Sequence, residues 1–305
     1  MKYYEFNYSK KFNCIADKCK HNCCIGWEIA VDKRSRDRYK LLESKDDRFL
    51  DKLENNCFTL TPNGRCPFLD EDNLCYIIKN HGEKSLCRTC KTHPRFKNFF
   101  SGVTETGLGL YCEEAGRIIL SSKDKMKLVL VKNDNKPSIL SPFEKKVLAF
   151  RNKAVKILQN RKLTISERLI ALQPLCQIDL DKKAFSSWIE FFTSLEKLPI
   201  NNYSFEKINS KSFCVVDQTF SLFYEQLLCY LAYRHLSRAI DLLDLRVRLA
   251  FVILSLKVIN LIFSQGEKTF ENLIESVRFY SSEIECNDDN LYTILNEIEN
   301  LVSFI

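Results

Sequence analysis

Ten of the chain's fourteen cysteines fall within its first 112 residues. They are Cys14, Cys19, Cys23 and Cys24, then Cys57, Cys66 and Cys75, then Cys87, Cys90 and Cys112. Thiols crowded in this way serve one of three chemistries: disulfides, zinc or an iron–sulfur cluster. Zinc fingers and ribbons use paired C-x-x-C knuckles. Here there is one such pair, Cys87-Arg88-Thr89-Cys90, and the other gaps are irregular. Nine or ten thiolates are too many for one tetrahedral site. They suit two metal sites, or one four-cysteine cluster with further thiols around it.

The C-x-x-x-C-x-x-C triplet of radical enzymes begins at Cys19 and Cys23 but meets Gly26 where its third thiol is needed. The expected ligand set is therefore Cys14, Cys19, Cys23, Cys24, Cys66, Cys75, Cys87, Cys90 and Cys112. Cys57 fits no spacing and is set aside as an ordinary thiol. His21 and His93 read as donors to the thiols or as ligands. Arg95 reads as a partner for cluster charge or for a ligand's carboxylate. The four remaining cysteines, Cys176, Cys214, Cys229 and Cys286, sit on apolar helical patterns and are expected in the core.

These thiols are not needed to hold up a small fold. The chain has 305 residues, 45% hydrophobic and 28% charged, enough for one large or two ordinary domains. Residues 1–14 carry no apolar signal region, so a cytoplasmic location with reduced thiols is expected, which counts against disulfides. Leu249–Phe263 is broken by Lys257 and reads as a buried helix, so no membrane partner is expected. The net charge of +7 is moderate for this length. The basic run Lys33–Lys40 reads as a solvated helix face, and no nucleic-acid partner is expected.

The elements that must position the thiols are short at first and long later. Trp27 to Val31 alternates like a strand, and Asp32 is placed to cap a helix over the basic run. Asn133–Pro142 reads as a linker. Ser141-Pro142-Phe143-Glu144 and Thr164-Ile165-Ser166-Glu167 are capping boxes, the second opening a helix that stops near Pro174. Phe220, Phe223, Leu227, Leu228 and Leu231 form one apolar stripe, and Leu242–Phe263 is apolar on most faces. The expected fold is mainly α: a small cysteine-rich metal-binding module over residues 1–135, then a helical bundle over 140–305.

The ordered run of motifs is distinctive. It reads Cys14, Cys19, Cys23-Cys24-Ile25-Gly26-Trp27, then Cys66-Pro67-Phe68-Leu69, Leu74-Cys75 and Gly82-Glu83. Cys87-Arg88-Thr89-Cys90, Pro94-Arg95 and Cys112-Glu113-Glu114-Ala115-Gly116-Arg117 follow. Over about residues 10 to 120 it resembles the flagellin lysine-N-methylase family, and more loosely the zinc- or iron-chelating cysteine-cluster domains. The resemblance implies an iron–sulfur protein that methylates flagellin lysines with S-adenosylmethionine. His93 stands where the pattern leads one to expect an aromatic.

No Rossmann-type glycine-rich turn is visible. Gly107 and Gly109 are the only closely spaced glycines and read as a tight turn delivering Cys112. An open iron of a cluster could instead chelate the methionine end of the cofactor. Candidate bases for the lysine ammonium are Tyr111, Glu113, Glu83 and Glu114, and burial alone would also lower the amine's proton affinity. The competing class is a non-catalytic module, either an iron–sulfur electron carrier or a zinc-stabilised interaction protein.

Overall fold

A computed structural model describes residues 1–43, 48–135, 139–197, 205, 213 and 216–302. Cys214 and positions 136–138 of the expected linker lie outside them. The described chain is mainly helical, with two small sheets.

The helical part is built on two central helices, α8 (Ser221–His235) and α9 (Leu242–Ser264). Every α8 residue from Phe223 to His235 is buried, which is why its apolar pattern shows little sidedness. Helix α9 packs against α8, α6 (Ile165–Cys176), α10 (Phe270–Tyr280) and α11 (Asp288–Glu299). Its most apolar window has a mean hydropathy of 2.0 and is 89% buried inside the fold. A helix long enough to cross a membrane is thus the axis of the core, as its sequence led us to expect.

Both capping boxes form. Ser141 opens α5 (Pro142–Leu158) and Thr164 opens α6, each accepting from the backbone amide of its N3 glutamate. Helix α6 carries Pro174 in its last turn and ends at Gln177, whose φ of 55° breaks the helical path.

A four-stranded sheet lies against this bundle in the order β5-β6-β1-β7. β5 (Arg95–Phe100) and β6 (Val103–Leu108) form a hairpin. β1 (Lys2–Phe6) lies parallel to β6 and antiparallel to β7 (Leu128–Asn133). In β5, Phe96, Asn98 and Phe100 face inward while Arg95, Lys97 and Phe99 face out, the period of two expected of a sheet covered on one side. The inner face is tied to the helices by polar bonds. Arg151 of α5 grips Glu105 of β6 through two bonds of 2.6 and 2.7 Å, and Asn98 donates to the Tyr233 carbonyl at 2.9 Å. Phe6, Phe96, Phe100 and Leu108 belong to the same apolar core as α8 and α9.

A second core is separate and small. Ile29, Val31, Tyr39, Phe49, Phe58, Phe68 and Ile77 pack with the buried thiols Cys66 and Cys87. Around it run α1 (Lys33–Glu43), α2 (Tyr76–His81), α3 (Arg88–Thr92) and a three-stranded sheet of two-residue strands, β2 (Ile29–Ala30), β3 (Leu53–Glu54) and β4 (Cys57–Phe58). The strand expected over Trp27–Val31 thus shortens to Ile29–Ala30. Asp32 caps α1 as expected, accepting from the Ser35 amide at 3.0 Å. It also accepts from the Arg88 amide at 2.8 Å, so one carboxylate joins α1 to the C-x-x-C helix. These donors, Arg88 foremost, hold Asp32 down to about 2.

Candidate metal centre

The small core sets five of the nine thiols. Cys87 caps the single turn of α3, and its Sγ lies 3.5 Å from that of Cys90, one turn on. The Cys90 thiol and nearby amides hold Cys87 below its ordinary value, while the same contact pushes Cys90 up. Cys66 donates its backbone amide to the Cys24 carbonyl at 2.7 Å, and Cys75 is bridged to Leu69. Burial raises Cys66 to about 11, with Cys75, Cys87 and Cys23 adding to the effect.

The other thiols come from the loop before β2 and from the turn after β6. Cys112 caps α4 (Glu113–Leu120) and is raised to about 11, first by burial and then by Cys23 and Cys14. Cys19 lies 3.8 Å from Glu113 Oε2. Burial, then Glu113, Cys112 and Cys23, push its thiol up to about 12. Cys23 is the common member of the two groups. It acts on Cys19 and Cys112 on one side and on Cys66 and Cys75 on the other. Cys57 stands apart, within β4 of the small sheet.

All the described cysteines are free thiols. Thiols are the donor type that a thiophilic metal or cluster takes. Among the described residues, however, no three of the chain's His, Cys, Asp or Glu side chains are set around one metal position.

The loop of Cys14 to Cys24 is clamped onto the helical part. Glu113, only 7% exposed, accepts from the Lys20 amide at 3.0 Å. His21 Nε2 lies 2.8 Å from Glu275 Oε2 on α10. Burial opposes the charge on Glu275, but His21 and Arg278 overcome it and hold the carboxyl down to about 2.

Beside Cys23 the His93 ring lies between two aromatics. Its centroid is 6.0 Å from that of Trp27 and 5.3 Å from that of Tyr111. Its Nε2 is buried without a hydrogen-bond partner. Tyr111 in turn rests over the Arg234 guanidinium at 5.6 Å. Burial pushes the Tyr111 phenol well up, so it stays protonated. Gly109 is required by this arrangement, since a Cβ there would overlap the Tyr111 ring. A Cβ at Gly107 would instead overlap the Phe96 ring.

The other expected site residues fall as follows. Glu114 ion-pairs with Arg117 at 3.5 Å. Glu83 is exposed on a one-turn helix beside the second core. Arg95 lies at the start of β5, over the Phe12 ring at 5.4 Å.

The sequence reading had Arg234 only within the family-like run Tyr230–His235 and missed Glu285. Arg234 and Glu285 form a buried pair beneath Tyr111, and nothing in their helical spacing marks them as neighbours of a cysteine loop. Cys286 corrects an expectation. Cys176 and Cys229 are buried as foreseen, but Cys286 is exposed, facing Tyr111 and Arg234. It follows a π-helical turn, Ser281–Glu285, which shifts the apolar register, so the residue reaches the surface while its thiol lies against Arg234, where burial pushes it up to about 12.

Fold and site together define a mainly helical protein whose N-terminal part gathers free thiols around one loop. The chain is 34% identical over 142 residues to the flagellar biosynthetic protein FliU of Salmonella muenchen, covering 42% of this chain and 83% of that protein. It is 30% identical over 154 residues to a lysine-N-methylase of Salmonella typhimurium and 31% over 153 residues to one of Salmonella choleraesuis. Each of those matches covers 45% of this chain but 38% of the methylase, so the match reaches well under half of those relatives' length. The chain belongs to the family of FliU. No family model matches it, and no solved structure does.

Proposed function

We propose that the chain is an S-adenosylmethionine-dependent protein-lysine N-methyltransferase acting on flagellin, with an iron–sulfur cluster, most simply [4Fe–4S], held by thiols of the N-terminal part. The observation that carries this reading is the crowding of free thiols in the N-terminal part of a chain whose relatives are named for lysine methylation and flagellar biosynthesis. Cys14, Cys19, Cys23, Cys24, Cys66, Cys75, Cys87, Cys90 and Cys112 are the residues that would hold the cluster. When bound, it would supply iron beside the cofactor's sulfonium.

The chain's own groups then have separable tasks. The neutral amine of lysine is a competent nucleophile, so the protein must align it and strip its proton. Trp27, exposed to 38% and stacked toward His93, offers a wall for the lysine stem beside Cys23. Glu113 is already engaged by the Lys20 amide and by Cys19. It therefore positions the thiol loop rather than taking the proton. Tyr111 stays protonated and serves as a packed wall. The ammonium proton passes to bulk water as the lysine enters, its loss favoured by the half-buried surface around His93.

The test is anaerobic incubation of the protein with flagellin and S-adenosylmethionine. The expected result is a mass gain of whole methyl units on flagellin lysines. Protein that binds only zinc and adds no methyl group would sink the reading. S-adenosylhomocysteine as sole cofactor product marks polar transfer, and 5′-deoxyadenosine marks a radical route.

A further inference from the structure

A cavity of about 290 Å³ opens on the outward face of the four-stranded sheet, beside the turn Ser9–Lys11. Two cations, Lys10 and Arg95, and one anion, Glu5, line it together with Ser9, Phe12 and Thr106. Register explains the meeting. Glu5 of β1 lies opposite Thr106 of β6, and Arg95 of β5 lies opposite Leu108, two residues further along β6. Period-two alternation puts Glu5, Thr106 and Arg95 on the face away from the core, while Leu108 itself is buried.

None of the three charged groups has an ion-pair or hydrogen-bond partner in its side chain among the described residues. The Arg95 guanidinium stacks over the Phe12 ring at 5.4 Å. Ser9 Oγ is buried and also without a partner. Lys10 and Arg95 are exposed and Glu5 is half-buried, so all three stand open to an incoming ligand, and a concave site offering both signs is matched to one that carries both itself. The place is also apt. Cys14 follows Phe12 by two residues, which span at most about 7 Å of chain. Arg95 follows His93 by two residues, and Leu108 precedes Cys112 by four.

We propose that this cavity binds an α-amino-acid zwitterion, and that its occupant is the methionyl end of S-adenosylmethionine. Arg95 and Lys10 receive the carboxylate, and Glu5 with Ser9 Oγ receives the ammonium. The identity of the occupant rests on the methyltransferase reading, whereas the zwitterion site does not. The site gives the amino-acid end a holder made of protein, so that cofactor affinity depends on these side chains.

The experiment is calorimetric titration of the whole chain with three probes: S-adenosylmethionine, L-methionine, and 5′-methylthioadenosine, which lacks the amino-acid end. Variants Arg95→Met and Lys10→Met keep an apolar stem at exposed positions, and thermal melting checks that each folds. A charge-assisted contact is worth about 1.5–3 kcal/mol, so each should weaken S-adenosylmethionine by roughly 10- to 100-fold. Binding of 5′-methylthioadenosine and metal content should not change. L-methionine binding that needs Arg95, without binding of S-adenosylmethionine, supports the zwitterion site and removes the methyl-donor reading. Equal affinity for S-adenosylmethionine in wild type and both variants overturns the cavity proposal and leaves that reading standing. Absence of binding by both amino-acid probes overturns the proposal as well.

Discussion

Arg234 Nε lies 3.1 Å from Glu285 Oε2, both side chains almost fully buried, directly under the loop that carries Tyr111 and Cys112. The pair is the centre of a polar knot. Glu285 Oε2 also accepts from Tyr230 at 3.1 Å and lies 3.0 Å from His235 Nε2. The Tyr230 hydroxyl accepts the Leu110 amide at 3.2 Å. The helical core thereby fixes the backbone two residues ahead of a thiol in the N-terminal part. Removing Glu285 as Glu285→Ala leaves a buried guanidinium unpaired, which costs roughly 3–5 kcal/mol. The expected loss is read from urea unfolding, and a change below about 1 kcal/mol would refute the role given to this pair.

The same knot makes stability depend on pH. Burial drives His235 down to about 4, against the opposing pull of Glu285. Burial opposes the charge on Glu285, but Arg234 and the His235 hydrogen bond overcome it and hold the carboxyl near 2. Both folded values lie below their unfolded ones, so the unfolded chain takes up protons first as pH falls. The stability is fully present above about pH 6.5 and is lost as pH falls toward 4 and then 2. The urea midpoint should drop between about pH 6.5 and 4, and His235→Gln should flatten that part of the profile.

At the thiols, replacing Cys87 and Cys90 together with serine should remove bound metal and loosen the small lobe. Binding free energy at such sites is folding free energy, and Cys87 belongs to that lobe's core. Replacing Cys176, buried far along the chain in α6, should leave iron, sulfide and zinc contents unchanged. Metal analysis of anaerobically prepared protein compares the two, and identical losses would show the division of thiols to be wrong.

Glu113 separates positioning from proton transfer. Glu113→Gln keeps an oxygen for the Lys20 amide, while Glu113→Ala removes it. If the carboxylate only holds the loop, the glutamine variant retains most methyl transfer and the alanine variant loses it together with metal. A general base would lose roughly 100-fold or more in both, with metal retained in the glutamine variant.

Gly109→Ala tests the packing of Tyr111. A methyl group there overlaps the tyrosine ring, so the ring or the loop must move. Overpacking of this kind costs about 1–3 kcal/mol. Tyr111→Ala in the same chain should recover part of the loss in melting temperature, and additive losses would show that the two positions do not meet.

Local signals in the chain were legible wherever neighbours in sequence decide the structure. Asp32, Ser141 and Thr164 cap the helices they were expected to cap, because a cap needs only amides two or three residues away. Helix α9 was legible because an unbroken apolar run must be covered on every side. The four-stranded sheet was not, since β1 pairs with β6 across about a hundred residues and short polar–apolar strands carry little signal alone. Cys286 was misread because the π turn before it breaks the helical period on which the reading relied.

By itself the sequence determined the inventory: which thiols are crowded, which helices start where, and which family the N-terminal motifs resemble. Those follow from residue type and short-range spacing. Only the tertiary structure decided that Cys19 meets Glu113 and that the Cys66 amide bonds the Cys24 carbonyl. Only it set Glu113 under the Lys20 amide, and Arg234 with Glu285 under Tyr111. It alone brought Glu5, Lys10 and Arg95 to one cavity. Each of these meetings joins segments remote in the chain, and long-range pairing is set by which faces the packed core leaves together, a quantity no local pattern encodes.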